Sequence, residues 1–379
     1  MALLTTLLGL CVLVVVHPYV TYPLSLVVMR ALGRVDLAPN GPAPKRFAVV
    51  CCVYNEKAVI KQKIENMRAV RERLGDCQLL IHSDGSTDGT NEILQELASD
   101  FSLSLAEKRS GKSTGMNRLL AMTDAEVVIF TDANVTMDPD SAKNLQRYFS
   151  DPKVGCVTGH LVYLNATESE TARVGSLYWR FEEWVKQLES DTGSVMGADG
   201  SLFAIRRELF QPVPADIIDD FCTSMSILCA GSRIVRGNDF LAYERSASSR
   251  SDEFRRKVRI ACRAFNCHRL LWPKIQRLDG LSFYKYMSHK YVRWLAGYFF
   301  VAGAALSVVL AYAWLGLLGA AGLLALLAIA AVIAGNFSIP VLTTVWEVVM
   351  AMAATALGVY RSLRGERFQT WQIASSTRK

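Results

Sequence analysis

Apolar residues crowd the two ends of the chain, while the centre alternates between strand-like and helix-like periods. Residues 2–29 run almost without charge, and dense apolarity resumes at Trp294 and lasts to Tyr360. A helix crosses a bilayer with ~20 apolar residues. The first segment therefore predicts one transmembrane helix over residues 1–30, bent by Pro18 and Pro23 in its inner half. It lacks the basic start and small-residue cleavage site of a signal peptide. The second segment divides into 294–313, 315–335 and 341–360. Three crossings would put Arg361, Arg364 and Arg367 outside, against the positive-inside rule. Two full crossings, with the third segment interfacial or re-entrant, keep the tail at 362–379 cytoplasmic.

Between the ends, residues 45–270 read as a soluble domain, joined to the membrane helices by a juxtamembrane segment at 271–293. A buried strand over Arg46–Val53 precedes a polar turn at Tyr54–Lys57 and a helix to about Leu74. Strands follow at Cys77–Asp84, Ser102–Lys108 and Ala125–Asn134, with Asp88 or Thr90 as the cap of an intervening helix. Such alternation predicts an α/β domain with a mainly parallel sheet and helices on both faces. Ligands of these sheets lie beyond the carboxyl ends of the strands, and every polar cluster in this region falls at such an end.

Composition refines the picture in two places. Hydrophobic residues make up 51% and charged ones 20%, with a mean hydropathy of +0.20, high for a wholly soluble chain. The net charge of +7 comes from 42 basic and 35 acidic residues. Many of the basic ones flank apolar segments (Arg30, Arg34, Lys290, Arg293, Arg361), which favours contact with anionic lipid over nucleic acid. The nine cysteines form no zinc-like pairs, and Cys51 and Cys52 should face opposite sides of one strand.

The strand-end clusters carry the candidate chemistry. Asp132 and Asn134, spaced i, i+2 in a turn, offer two hard oxygens to a divalent cation; either could instead cap the helix that follows. Asp84 stands at a strand end before a Gly- and Asp-rich turn, where it could accept from a nucleobase or ribose. Lys112 is a flexible cation able to reach a diphosphate. Asp219 and Asp220 are adjacent carboxylates, so one should titrate high, as a general base requires; a helix cap is the plainer alternative. Arg255, Arg256, Arg259 and Arg263 line a helix that suits either a diphosphate or lipid headgroups.

In order, YNE, SDGSTD, GK…N, TDAN, GADGSLFAIRREL, DD and RRKVR resemble the family-2 glycosyltransferases with a GT-A fold. That group includes membrane-bound synthases of cellulose, chitin, hyaluronan and poly-N-acetylglucosamine. The resemblance covers about residues 45–270. It implies a GT-A (Rossmann-like) sheet and an inverting transfer from a nucleotide sugar, with UDP as the expected carrier. Tyr54, Glu56 and Asp84 match the nucleotide-binding set, with Lys112, Arg256 and Arg259 as further donor contacts. Asp132 and Asn134 match the metal-binding DxD turn for Mg²⁺ or Mn²⁺, and Gly200 the acceptor pocket. Asp220 matches the catalytic base, with Asp219 in place of the usual Glu before it.

Two departures temper this. The second acid of DxD is Asn134, and no QxxRW motif is present, so single transfer or short extension is favoured over processive export. The implied partners are a nucleotide-sugar donor, a lipid-linked or glycan acceptor, the bilayer of the inner membrane and other polysaccharide-assembly proteins. The alternatives are transfer to a polyprenyl phosphate or a non-catalytic nucleotide-sugar-binding subunit. A nucleotidyltransferase would need a Gly-rich, Arg-containing loop where this chain has VYNEKAVI.

Overall fold

The computed structural model describes residues 1–164, 170–245, 250–336 and 340–370; residues 371–379 of the expected tail lie outside them. The chain opens with α1 (Ala2–Val16) and α2 (Thr21–Leu32), which meet at 58°. The single helix expected over 1–30 is thus broken, with Pro18 in the break. A proline lacks the N–H an uninterrupted helix needs. At 15 residues α1 is shorter than a bilayer crossing. Helix α2 buries Tyr22 and Leu26 against Val185 and Leu188 of the globular domain, so its inner face packs on protein.

Four parallel strands come next, each but the last followed by a helix: β1 (Phe47–Val53), α3 (Ile60–Leu74), β2 (Cys77–Ser83), α4 (Thr90–Leu97), β3 (Ser102–Leu105), α5 (Lys112–Ala121) and β4 (Val127–Thr131). Every residue of β1 is buried, because helices cover both faces of the sheet. Val49, Cys51 and Val53 point to one core with Ile64 and Met67 of α3. Ala48, Val50 and Cys52 point to the other, with Met116 and Leu119 of α5. The two cysteines therefore face opposite ways, as the strand period demanded, and all nine are free thiols.

The second half adds β5 (Thr136–Met137), α6 (Pro139–Ala142), α7 (Asn144–Phe149), β6 (Val154–Tyr163), α8 (Glu170–Asp191), β7 (Leu202–Arg206), α9 (Asp219–Cys229) and β8 (Arg233–Glu244). The eight strands lie in the order β3-β2-β1-β4-β7-β6-β8-β5. Strand β7 is antiparallel to both neighbours, and β5 pairs antiparallel with β8. The sheet is therefore mixed but mainly parallel, and β6 and β8 point the same way as β4.

Four further helices follow. Helix α10 (Arg250–Ile275) precedes α11 (Gly280–Tyr286), which continues through a π-helical turn at Met287–Tyr291 into α12 (Val292–Asn336); α13 (Pro340–Leu363) is last. The stretch Gly280–Ile329 is long and apolar enough to cross a membrane. Leu317 and Leu318 are 74% and 87% exposed on it, a burden in water that lipid would remove. Gly316, with φ 68° and ψ −166°, breaks α12 where the apolar run divided. Helix α13 packs on the first part of α12, Tyr298 Oη donating to the carbonyl of Ala356 at 2.8 Å. Any Cβ on Gly297 would stand 2.7 Å from the Met352 carbonyl, and one on Gly358 would stand 2.6 Å from Ala261 of α10. Small residues thus let three backbones meet. The segment expected to be interfacial is the helix that brings Arg361 back to the sheet-bearing domain.

Candidate active site

Strands β1 and β4 are neighbours, yet the chain leaves β1 toward β2 and leaves β4 toward the other half of the sheet. That reversal opens a crevice at their carboxyl ends. Tyr54 follows β1 on one wall and Asp132 follows β4 on the other. Asn55, which follows Tyr54, has φ 53°, the one non-glycine residue with positive φ among the described residues. Its backbone N–H donates to Ser86 Oγ at 3.0 Å, and its side chain accepts from Thr87 N–H at 2.8 Å. These bonds pin the turn after β1 to the turn after β2, a backbone outlier of the kind found at functional sites.

The turn after β4 holds two hard-oxygen side chains that do not cap a helix. Asp138 does that instead, accepting from the N–H groups of Asp140 and Ser141. Asp132 is free of that duty, and its Oδ1 accepts from Lys112 Nζ at 2.7 Å. Asn134 Nδ2 donates to Glu244 Oε1 at 2.8 Å, which turns its own oxygen away from that partner. Beneath the turn, buried Lys63 donates to Thr131 Oγ1 and to the Val135 carbonyl, both at 2.7 Å. Burial pushes the Lys63 ammonium down to about 8. A buried lysine at this position gives the turn a rigid floor.

Asp219 and Asp220 form the first turn of α9, where the helix dipole favours negative charge; neither side chain caps the helix. The segment before them is clamped at the Ile217 carbonyl, which accepts from Ser113 Oγ at 2.9 Å and from Arg263 Nη2 at 2.5 Å. Lys112 sits between the two walls, its Nζ 2.7 Å from Asp132 and 3.2 Å from Asp219. Burial opposes its charge, but Asp132 and Asp219 outweigh that and hold Lys112 well above its ordinary value. Asp219 is also buried, yet Lys112 and Arg263 keep it below the usual carboxylate range. Asp220 goes the other way. Burial, and then the charge of Asp219, push it up to about 7.

Gly200 explains how Asp220 fits. A Cβ there would lie 2.5 Å from Asp220 Oδ2 and 3.1 Å from its Cγ, so only glycine leaves that space to the carboxylate. The same loop is tied to α9 by Ala198 N–H, which donates to Ser224 Oγ at 3.0 Å.

The remaining expected residues divide. Arg259 is half-buried with no hydrogen bond from any described residue, near Asp219 and Asp132; burial and the neighbouring Arg263 and Arg256 lower it to about 10. Arg256 is half exposed and paired with Glu253 at 2.9 Å, with Glu244 also nearby. Tyr54 carries the Arg109 guanidinium 3.6 Å from its ring centroid. Asp84 and Glu56, expected in the nucleotide-binding set, are both buried. The Asp84 carboxylate accepts from Ser110 N–H (2.6 Å), Gly111 N–H (2.9 Å) and Ser110 Oγ (3.1 Å). It shapes the loop before α5 from beneath. The sequence pattern put Asp84 at a strand end and gave no sign that the next loop would close over it.

Three participants were not anticipated. Glu244, at the end of β8, is half-buried beside Asn134, and burial with the Asp132 charge raises it to about 7. Lys63 of α3 is the second, buried beneath the turn after β4. The tail is the third: Arg367 pairs with Asp216 at 2.8 Å, and the Gln369 carbonyl lies beside Gly111. The tail after α13 therefore runs back over the start of α5.

No cluster of three or more His, Cys, Asp or Glu side chains set to hold a cation occurs among the described residues. Asp132 and Asn134 fit a hard cation by their chemistry, one carboxylate and one amide oxygen, with Glu244 orienting the amide. A site this sparse would take its remaining oxygens from a phosphate-bearing ligand or water.

Comparison with known proteins places this architecture. The sequence model described as glycosyl transferase family 2 matches residues 48–213. The beta-monoglucosyldiacylglycerol synthase of Nostoc sp. is 26% identical over 166 residues, covering 42% of this chain and 36% of the relative. An N-acetylglucosaminyltransferase of Azorhizobium caulinodans is 25% identical over 180 residues, 46% of this chain and 45% of the relative. The chain thus spans less than half the length of either curated relative. Among solved structures, the mannosyltransferase PcManGT of Pyrobaculum calidifontis, in complex with GDP-Man and Mn²⁺, superposes with a TM-score of 0.73. It has 21% identity, and the match covers 96% of this chain and 99% of that one. That likeness covers nearly the whole chain and shows the fold. The ordered motifs, the mixed sheet and the matched segment agree, and residues 48–213 are similar to glycosyl transferase family 2.

Proposed function

We propose that this chain is an inverting glycosyltransferase that moves a sugar from a nucleotide-sugar donor onto a hydroxyl of a lipid-linked or membrane-proximal acceptor, at the cytoplasmic face of a membrane. One observation carries the reading: Asp220, raised toward neutrality, stands in space cleared by Gly200 across the crevice from Asp132. A general base must lose its proton near working pH and still be basic enough to accept one. Asp220 meets that demand, while Asp219 stays ionised and anchors Lys112.

The transfer balances simply. The acceptor hydroxyl oxygen attacks the anomeric carbon as Asp220 takes the hydroxyl proton. The bond from that carbon to the diphosphate oxygen breaks on the opposite side, and the nucleoside diphosphate leaves with the electron pair. Lys112 and Arg259 supply positive charge for the diphosphate. Asp132 and the Asn134 oxygen would hold Mg²⁺ or Mn²⁺, whose contribution is charge for the departing phosphates. Arg109 and Tyr54 form a stacked wall for the base and ribose. UDP is the proposed carrier, with GDP the competitor suggested by the GDP-Man in the solved relative.

The apolar helices α1, α12 and α13 favour an acceptor held at the bilayer, as does the glycolipid named for the Nostoc relative. The test is nucleotide release by the detergent-solubilised full chain, screened over UDP- and GDP-sugars with Mg²⁺ or Mn²⁺ and native lipid extract. Metal-dependent release from one donor supports the reading. A chain that binds no nucleotide under any of these conditions overturns it.

A further inference from the structure

Beside the crevice, two cavities of about 370 Å³ and 440 Å³ run into each other between α8 and the strands β6 and β8, sharing His160, Gln187 and Arg236. From their location we infer that this trough is an oligosaccharide subsite, which holds the sugar units of the acceptor behind the one that receives the transfer. The inference rests on the glycosyltransferase reading and adds a substrate class to it: the acceptor already carries a saccharide.

The lining chooses the ligand. Tyr163, Trp179 and Trp184 bring three aromatic rings to one wall. Trp179 is fixed by its Nε1–H, which donates to the Leu161 carbonyl at 3.0 Å, and Tyr163 meets it edge-on at 5.4 Å. Trp184 is 43% exposed, leaving ring surface for a ligand. Arg180 is exposed in the trough and meets no partner among the described residues, while the charges beneath it are already neutralised. Arg236 donates to Glu183 at 2.8 Å and to Gln187 at 2.9 Å, and Lys186 donates to Glu183 at 2.9 Å. Apart from Arg180, such a wall has no unmet demand for an anion. It offers aromatic surface and oriented polar groups, which suit a neutral ligand with apolar C–H faces and many hydroxyls.

Placement ties the trough to the reaction. Strand β6 points the same way as β4, so Tyr163 lies at the catalytic edge of the sheet, level with Glu244 across the β6–β8 pair. Lys186 Nζ, 4.5 Å from the Trp179 ring centroid, is 3.8 Å from Asp199 Oδ2. Asp199 precedes Gly200, which abuts Asp220. A chain of sugars with its terminal hydroxyl at Asp220 would therefore run over Trp179 and Trp184. At the other end, Arg30 and Arg34 mark the base of α2, where a lipid-borne glycan would arrive.

The test is titration calorimetry on the full chain in detergent, with chitotetraose, cellotetraose and mannotetraose as probes and UDP titrated separately. At least one tetrasaccharide should bind at millimolar concentration or tighter. Trp184→Ala and Gln187→Ala should each weaken it about tenfold or more, with UDP binding unchanged. Trp314→Ala, on the remote part of α12, should leave both unchanged. If UDP binds but no sugar does at about 10 mM, the trough assignment falls and the glycosyltransferase reading stands. Absence of UDP binding in the wild type would sink the reading beneath it. Should Trp184→Ala spare sugar binding and instead weaken attachment to phospholipid vesicles, Trp184 is a membrane contact and the assignment is overturned.

Discussion

Replacing Gly200 by alanine sets one methyl against the Asp220 carboxylate. The new Cβ would stand 2.5 Å from Oδ2, 3.1 Å from Cγ and 3.4 Å from Cβ of Asp220. Ordinary van der Waals contact begins near 3.4 Å, so the carboxylate must retreat by about 1 Å. Gly200 is not among the residues with positive φ, so alanine adds no backbone strain and the effect is steric. A displacement of ~1 Å at a reacting group can cost ~10²-fold in rate, equivalent to ~2.7 kcal/mol of barrier. Overpacking also costs roughly 1–3 kcal/mol of stability, so thermal unfolding and UDP affinity must be read beside turnover. The predicted outcome is a turnover loss of about 10²-fold with UDP affinity unchanged. In an Asp220→Asn background the same change should add little, because residues acting as a unit are not additive. A Gly200→Ala enzyme within threefold of wild type, which is about 0.7 kcal/mol, would refute the assignment of Asp220 as a positioned base.

The other predictions concern charge. Because Asp220 must be ionised to act, the turnover profile should rise with pH and level off above about 7; Asp219→Asn removes a charge that raises Asp220, so this limb should move to lower pH. The linked stability runs the opposite way. A carboxyl with a raised folded pKa lowers stability as pH climbs from its unfolded value toward 7, so Asp220→Asn should unfold at the same or higher temperature than wild type at pH 8. Glu244→Gln should weaken Mn²⁺ binding, followed by paramagnetic resonance, by roughly tenfold as outer-shell changes do; an unchanged affinity would remove Glu244 from the cation site. Arg259→Ala should cost roughly 10–100-fold in UDP affinity, the range of hydrogen bonds to charged groups. It should leave the unfolding temperature alone, since no described residue bonds that side chain.

Much of the sheet was legible because strand and helix periods are local. Cys51 and Cys52 could be placed on opposite faces from alternation alone, and each polar cluster stood at a strand end. The carboxylate pair of α9 and the turn after β4 were readable for the same reason. What sequence left hidden depends on contacts across the fold. Nothing local to Asp84 announces that Ser110 and Gly111 will cover it. Lys63 looks solvent-facing until the turn at Thr131–Val135 closes over it. Glu244 lies 110 residues beyond Asn134, so only the pairing of β5 with β8 brings the two side chains together. The break at Pro18 was readable as a bend, but the burial of Tyr22 and Leu26 on α8 was not, because an apolar helix face gives no sign of whether lipid or protein covers it.

The most direct test of the central claim is sugar transfer by Asp220→Asn alongside wild type, in single-turnover format with the donor that the screen selects. The account predicts transfer reduced by ~10²–10⁴-fold, the usual worth of a general base, with UDP affinity within threefold of wild type. Transfer at the wild-type rate would contradict it and move the base to another residue of the crevice.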